Sequence, residues 1–294
     1  MIFWGCSTAF LIAAVLWVLG NFDPIDGKSR KIETVRIIVQ RYELRNRSGR
    51  LHRNLYFWVR GVVKQGVANR LLKTESNRDY HEQTDQLGNR IMTFPIEQIP
   101  PYGSVIIENK AHLAVDDGHG REKGAPSALE DALRPEPLIE STDPRIVKLA
   151  RSFGQADETQ RARAIYDWLL ANIRVANYQS RALGALKTLQ MRKGDCTDFA
   201  HLYAALARAA GLPARVMAGY RYQDSTVMRP DDLHNWVELY LNGRWRIADA
   251  HGRSFLENEA DYIAILRLDM LGQGELQGHR RYKISNAAIE VRQF

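Results

Sequence analysis

The sequence predicts an α+β fold for its C-terminal half, and three observations carry that prediction. Helical apolar spacing dominates residues 142–210, strand-forming runs dominate the residues after 210, and Asn242-Gly243 sits between two of those runs. Helices first and a sheet afterwards segregate along the chain, as α+β folds require.

Residues 1–20 carry no charged side chain and are long enough to cross a bilayer core of ~30 Å as a helix, so 1–21 read as a transmembrane anchor or an uncleaved signal. Lys28, Arg30 and Lys31 follow this run and no basic residue precedes them, which sets the positive-inside rule against export. The expectation is nonetheless a membrane-anchored protein with its C-terminal half in the periplasm or otherwise outside the cytoplasm.

Residues 30–116 read as a β-sandwich domain, from the runs Val35–Leu44, Leu55–Arg60 and Ser104–Glu108, with a turn at Asp85–Asn89 before Arg90–Phe94. Such a domain offers a surface to a protein partner. Residues 117–141, rich in Asp, Gly, Lys, Glu and Pro, read as a linker, and 142–294 as the second domain. That domain opens at Thr142-Asp143-Pro144, with Asp as N-cap and Pro at the first helical position. A second helix over 158–174 places Ala162, Ile165, Trp168, Leu169 and Ile173 at helical spacing.

A third helix starts at Cys196, with Asp195 as N-cap, Asp198 in the first turn, and Gly211 and Pro213 as terminators. Only two cysteines occur, Cys6 and Cys196, so the soluble part holds a single thiol and no disulfide. A thiol at a helix start meets free N–H groups and the positive end of the helix dipole, which stabilise negative charge on sulfur. Downstream, Asn242-Gly243 predicts a type I′ hairpin that pairs 241 with 244, 236 with 249 and 234 with 251. His234 and Asp249 then become diagonal neighbours on one face, roughly 7–8 Å apart at Cα. An acid that orients an imidazole beside a thiol is the logic of a catalytic triad.

The blocks Gly194–Tyr220, His234-Asn-Trp-Val-Glu-Leu-Tyr240 and Trp245-Arg-Ile-Ala-Asp249 together resemble the transglutaminase-like superfamily over roughly residues 142–255. The resemblance implies a papain/transglutaminase-like core of helices packed on an antiparallel sheet. It also implies that Cys196 is the nucleophile, His234 the general base and Asp249 its orienter. Many bacterial members carry a similar N-terminal β domain. One departure stands out: the family's aspartate is often followed by Pro-Thr, where this chain has Ala250-His251.

Around that set, Trp236 shares the face of His234 and is a candidate wall of an acyl site, while Tyr178 and Gln179, with Trp168, are candidate oxyanion or substrate contacts. His201 reads as a solvent-facing or core-edge histidine and Glu238 as a strand-surface carboxylate. Cys196, His234, Asp249 and His251 lack the close-spaced ligand pairs of a structural zinc site, so neither a metal nor a cofactor is expected. The net charge of +7 is scattered without a reader motif, which argues against nucleic acid as a partner. The expected chemistry is thiol-dependent acyl transfer from peptide or protein amides, most simply hydrolysis. The alternatives are protein cross-linking by amine transfer and a non-catalytic envelope binding module.

Overall fold

A computed structural model describes residues 34–115, 126–154, 157–268 and 275–294. The run expected to anchor the chain, 1–21, and the first part of the expected linker lie outside the described residues. Among the described residues no helix is long and apolar enough to cross a membrane.

The first half is built from β1 (Thr34–Asn46), β2 (His52–Gly61), β3 (Asn69–Ser76), β4 (His81–Thr84), β5 (Arg90–Ile99) and β6 (Ser104–Val115). Alternation decides their faces: in β1, Ile38, Gln40, Tyr42 and Leu44 are buried while their neighbours are more exposed. β1, β6 and β3 form one sheet, and β2, β5 and β4 belong to another. Tyr42, Leu44 and Ile107 of the first share a single apolar cluster with Phe57, Val59, Met92 and Phe94 of the second. The Asp85 turn forms as its sequence demands, with Asp85 Oδ1 accepting from Leu87 N and Asn89 N and Gly88 at φ +84°.

Helices α1 (Pro126–Asp131), α2 (Pro144–Arg151) and α3 (Glu158–Asn172) follow, the last two capped by Asp143 and Asp157 side chains. The later part of the expected linker is thus packed structure: it holds α1, it buries Ala132 and Ile139, and Glu136 pairs with Arg208 at 2.7 Å. A six-residue helix and isolated apolar residues are too short to show a period.

The strand β7 (Arg174–Val175) pairs in parallel with β8 (Lys193–Gly194), on either side of α4 (Ala185–Met191). α5 (Cys196–Ala209) then lies against a sheet ordered β13-β12-β11-β9-β14, made of β9 (Ala214–Arg221), β11 (His234–Leu241), β12 (Arg244–Asp249), β13 (Ser254–Phe255) and β14 (Tyr262–Arg267). Val216, Val237, Leu239 and Ala248 face α5 and join its Leu202, Tyr203 and Leu206 in the largest core cluster. Fully burying a large apolar side chain contributes roughly 1.5–3 kcal/mol, so this layer is a major source of stability. The hairpin register is the one expected, Leu241 against Arg244 and Val237 against Ala248, with Asn242 at φ +51° and Gly243 at φ +81°. Finally β10 (Thr226–Val227) and β16 (Ile289–Gln293) flank β1, and β15 (Tyr282–Ile284) adds to β2. The end of the chain therefore returns to the N-terminal sheets, within a single compact unit spanning 34–294.

Candidate active site

Cys196 is the first residue of α5, and its two predecessors set it there. A Cβ on Gly194 would lie 2.5 Å from Asp198 Cβ, so a side chain at 194 would clash with the first turn. Asp195 Oδ1 accepts from Thr197 N at 2.9 Å and Asp198 N at 3.2 Å, while Asp198 Oδ2 accepts from Asp195 N at 3.3 Å. The same two acids hold a neighbouring loop: Gln179 N donates to Asp195 Oδ2 and Leu183 N to Asp198 Oδ1, at 3.0 and 2.7 Å. Burial pushes the Asp198 carboxyl above the usual range. The N–H of Cys196 itself is not among the donors that the cap consumes.

At the start of β11, the His234 Nε2–H donates to Asp249 Oδ2 at 2.6 Å. Asp249 is further fixed by Tyr262 Oη–H on Oδ2 at 2.9 Å and Gly252 N–H on Oδ1 at 2.7 Å. Burial alone would raise this carboxyl, but its bond and charge interaction with His234 outweigh burial and hold it below the usual range. Burial likewise opposes charge on His234, yet the bond to Asp249 and the nearby Cys196 sulfur, with their charges, push the imidazole up to about 9. The ring is thus tied to the acid and influenced by the sulfur. With Nε2 committed to Asp249, Nδ1 is the nitrogen left for the thiol.

Beside this set runs a cleft of about 800 Å³, lined by Cys196, by the Tyr178–Gln179 loop, by Asp231 and Leu233, and by His251, His279 and Arg281. The structure brings Tyr178, 79 % exposed, and Gln179 to this wall. Trp236 does not open onto it: it is 1 % exposed and packs edge-on against Tyr262 at 5.1 Å, beneath the His234–Asp249 pair. Trp168 lies elsewhere, under the Arg192 guanidinium.

Two sequence readings are corrected. Glu238 is 1 % exposed and accepts from Arg215 at 2.6 Å, and His201 is fully buried within α5. The face of β11 that carries His234, Trp236 and Glu238 is covered by Val63 and Val67 from the N-terminal half, a long-range contact that alternation does not reveal. Sequence reasoning also missed Asn235, whose Nδ2 donates to Thr197 Oγ1 at 2.6 Å and lies 3.9 Å from Cys196 Sγ. Its position on the α5-facing side of the strand is the available signal. His251, whose ring centre is 5.6 Å from that of His234, has its pKa lowered by burial and by the His234 charge.

Gly252 has a definite role in this geometry. A Cβ there would sit 2.1 Å from Asp249 Oδ2, the oxygen that His234 grips. Gly252→Ala is expected to displace the carboxylate and lower turnover about 100-fold, with the imidazole falling from about 9 toward its ordinary value. A pH titration of the His234 ring by NMR checks this; an unmoved titration would sink the assignment.

Among the described residues, no group of three or more His, Cys, Asp or Glu side chains is arranged to hold a metal ion. Compared with known proteins, residues 147–250 match the family model of the transglutaminase-like superfamily. A stretch of 102 residues is 29 % identical to the human kyphoscoliosis peptidase, covering 32 % of this chain and 15 % of that protein, so the chain spans a small part of the curated relatives it matches. The fold is similar to the crystal structure of a candidate cysteine protease from Cytophaga hutchinsonii, at TM-score 0.59 and 18 % identity over 89 % of this chain and 88 % of that one. The periplasmic domain of TgpA from Pseudomonas aeruginosa aligns at TM-score 0.37 and 17 % identity, over 70 % of this chain and 88 % of that one.

Proposed function

From the transglutaminase-like domain formed by residues 147–250, we propose that this protein is a cysteine-dependent hydrolase of peptide or protein amide bonds. The observation that carries the reading is one ring, His234, bonded to a buried carboxylate and raised in pKa by the neighbouring Cys196, whose thiol lines a cleft.

Below about pH 9 the proton shared by the Cys196–His234 pair already rests on the ring, so the Cys196 sulfur attacks the amide carbonyl carbon while Asp249 stabilises the imidazolium beside it. The oxyanion is met by the uncommitted Cys196 N–H, a contact of the kind worth about 3 kcal/mol in acyl transfer. Collapse expels the amine, which takes the proton from His234, and leaves a thioester. Water then attacks the thioester with His234 as base, releasing the carboxylic acid and restoring the thiol. Hydrolysis is favoured over amine transfer because the cleft wall is open: Tyr178 is 79 % exposed, and water at ~55 M competes wherever it is not excluded.

The uncharged run at 1–20 supports a membrane anchor; we propose the hydrolase outside the cytoplasm, although Lys28, Arg30 and Lys31 count against it, and the shared cluster of the two N-terminal sheets supports a β-sandwich domain able to recruit a protein partner.

Incubating the protein with a peptide library and an added primary amine, followed by mass spectrometry, tests the chemistry. Cleaved or deamidated peptides are expected; amine adducts as the main product would replace hydrolysis by cross-linking, and no product together with an inert thiol would leave a binding module. The pH dependence gives a second check. The imidazolium is present below about 9 and is lost as pH rises through that value. Amide cleavage, which needs its proton for the leaving amine, is expected to fall above that pH. Alkylation of Cys196 by iodoacetamide needs no proton and is expected to hold.

A further inference from the structure

The wall of the cleft contributed by the last strands carries a guanidinium that the fold leaves half-used. Arg281 Nη1 donates to Tyr220 Oη at 3.3 Å and to Gln293 Oε1 at 3.2 Å, both neutral acceptors. Among the described residues no carboxylate pairs with it, and its Nε and Nη2 donors have no protein partner. Those two N–H groups form the edge of the guanidinium that grips a carboxylate side-on.

Other arginines show what a structural role looks like here. Arg215 is buried against Glu238, Arg90 against Glu82, and Arg60 is spent on the carbonyls of Arg280 and Leu276. The last of these also fixes Arg281, because Arg60 N donates to Arg281 O at 2.9 Å, so the cleft wall is tied from beneath by one buried side chain and its backbone. Tyr220, which anchors the guanidinium, follows Gly219, the cross-strand partner of His234. The arginine is thus held at the His234 end of the sheet.

Two acids and His279 line the same cleft. Asp195 has both oxygens engaged by backbone N–H groups, and Asp231 is exposed. His279 lies two residues before Arg281, and its pKa is lowered chiefly by burial.

We propose that the cleft binds a substrate carboxylate at Arg281, so that the preferred substrates are peptides carrying an acidic side chain or a free C-terminal carboxylate close to the amide attacked. The proposal rests on the reading of Cys196 as the nucleophile of a hydrolase.

The test measures kcat/KM for matched peptides with Glu or Gln flanking the scissile amide, each with a free or an amidated C-terminus. An acidic-to-neutral ratio of about 10- to 100-fold is expected for the native protein, the range spanned by one hydrogen bond between charged groups. Arg281→Gln is expected to collapse the ratio to about one, and Arg281→Lys to restore most of it. A gain seen only with the free C-terminus assigns the terminal carboxylate; a gain that survives amidation assigns the side chain. A ratio near one in the native protein, or an unchanged ratio in Arg281→Gln, overturns the subsite.

Should no peptide be cleaved by the native protein, the hydrolase reading fails by itself. The subsite is then read by fluorescence anisotropy of labelled Glu and Gln peptides on Cys196→Ala protein, where equal affinity overturns it.

Discussion

Cys196→Ala is expected to remove peptide cleavage and iodoacetamide labelling together, while the melting temperature changes by no more than about 2 °C. Removing the nucleophile of a concerted set lowers turnover by roughly 10⁴-fold or more, because the partners left behind have nothing to activate. The fold tolerates the change: Cys196 is only partly buried, and the cap that starts α5 runs through the side chains of Asp195 and Asp198 rather than through sulfur. Residual cleavage near the native rate would show that another group does the chemistry. A large loss of stability would show that sulfur serves packing instead. His234→Ala provides the complement, since it leaves the thiol in place and removes its base; labelling at mildly acidic pH is then expected to slow.

Much of this site is legible in the amino-acid sequence itself. Asn242-Gly243 dictates a turn with two positive φ angles, and that turn alone fixes the register bringing Asp249 diagonal to His234. Asp195 and Gly211 bound α5 for reasons of capping that need no tertiary contact.

The remainder depends on distant pairings. Alternation correctly groups His234, Trp236 and Glu238 on one face, but it does not say that Val63 and Val67 cover that face while α5 covers the other. Trp236 and Glu238 are buried as a result. Cys196 is the first residue of α5 and His234 the first of β11, and only the packing of α5 on the sheet makes them neighbours. Arg281 is equally hidden, because the three-residue β15 that comes after it carries no periodicity and gains its place only by pairing with β2.

Those long-range pairings make Gly219 the most sensitive backbone position at the site, and Gly219→Ala is expected to destabilise the protein by about 3–5 kcal/mol. A Cβ there would lie 2.1 Å from the carbonyl oxygen of Ile263 and 2.8 Å from the Trp236 indole. Neither neighbour can yield. Ile263 is backbone within the β9–β14 pair, next to the register shift between Ala264 and Leu266, and Trp236 is wedged between Tyr262 and the N-terminal residues that cover it. Separating β14 from β9 would also carry off Tyr262, whose hydroxyl holds Asp249, and would disturb His234, which pairs with Gly219 directly. Stability and cleavage are therefore expected to fall together, with the melting transition lowered by about 10 °C. Thermal unfolding followed by circular dichroism measures this. A variant that melts within about 2 °C of the parent would mean that the strands relax around the methyl group, and that the close approach at Gly219 is not what holds the imidazole in register.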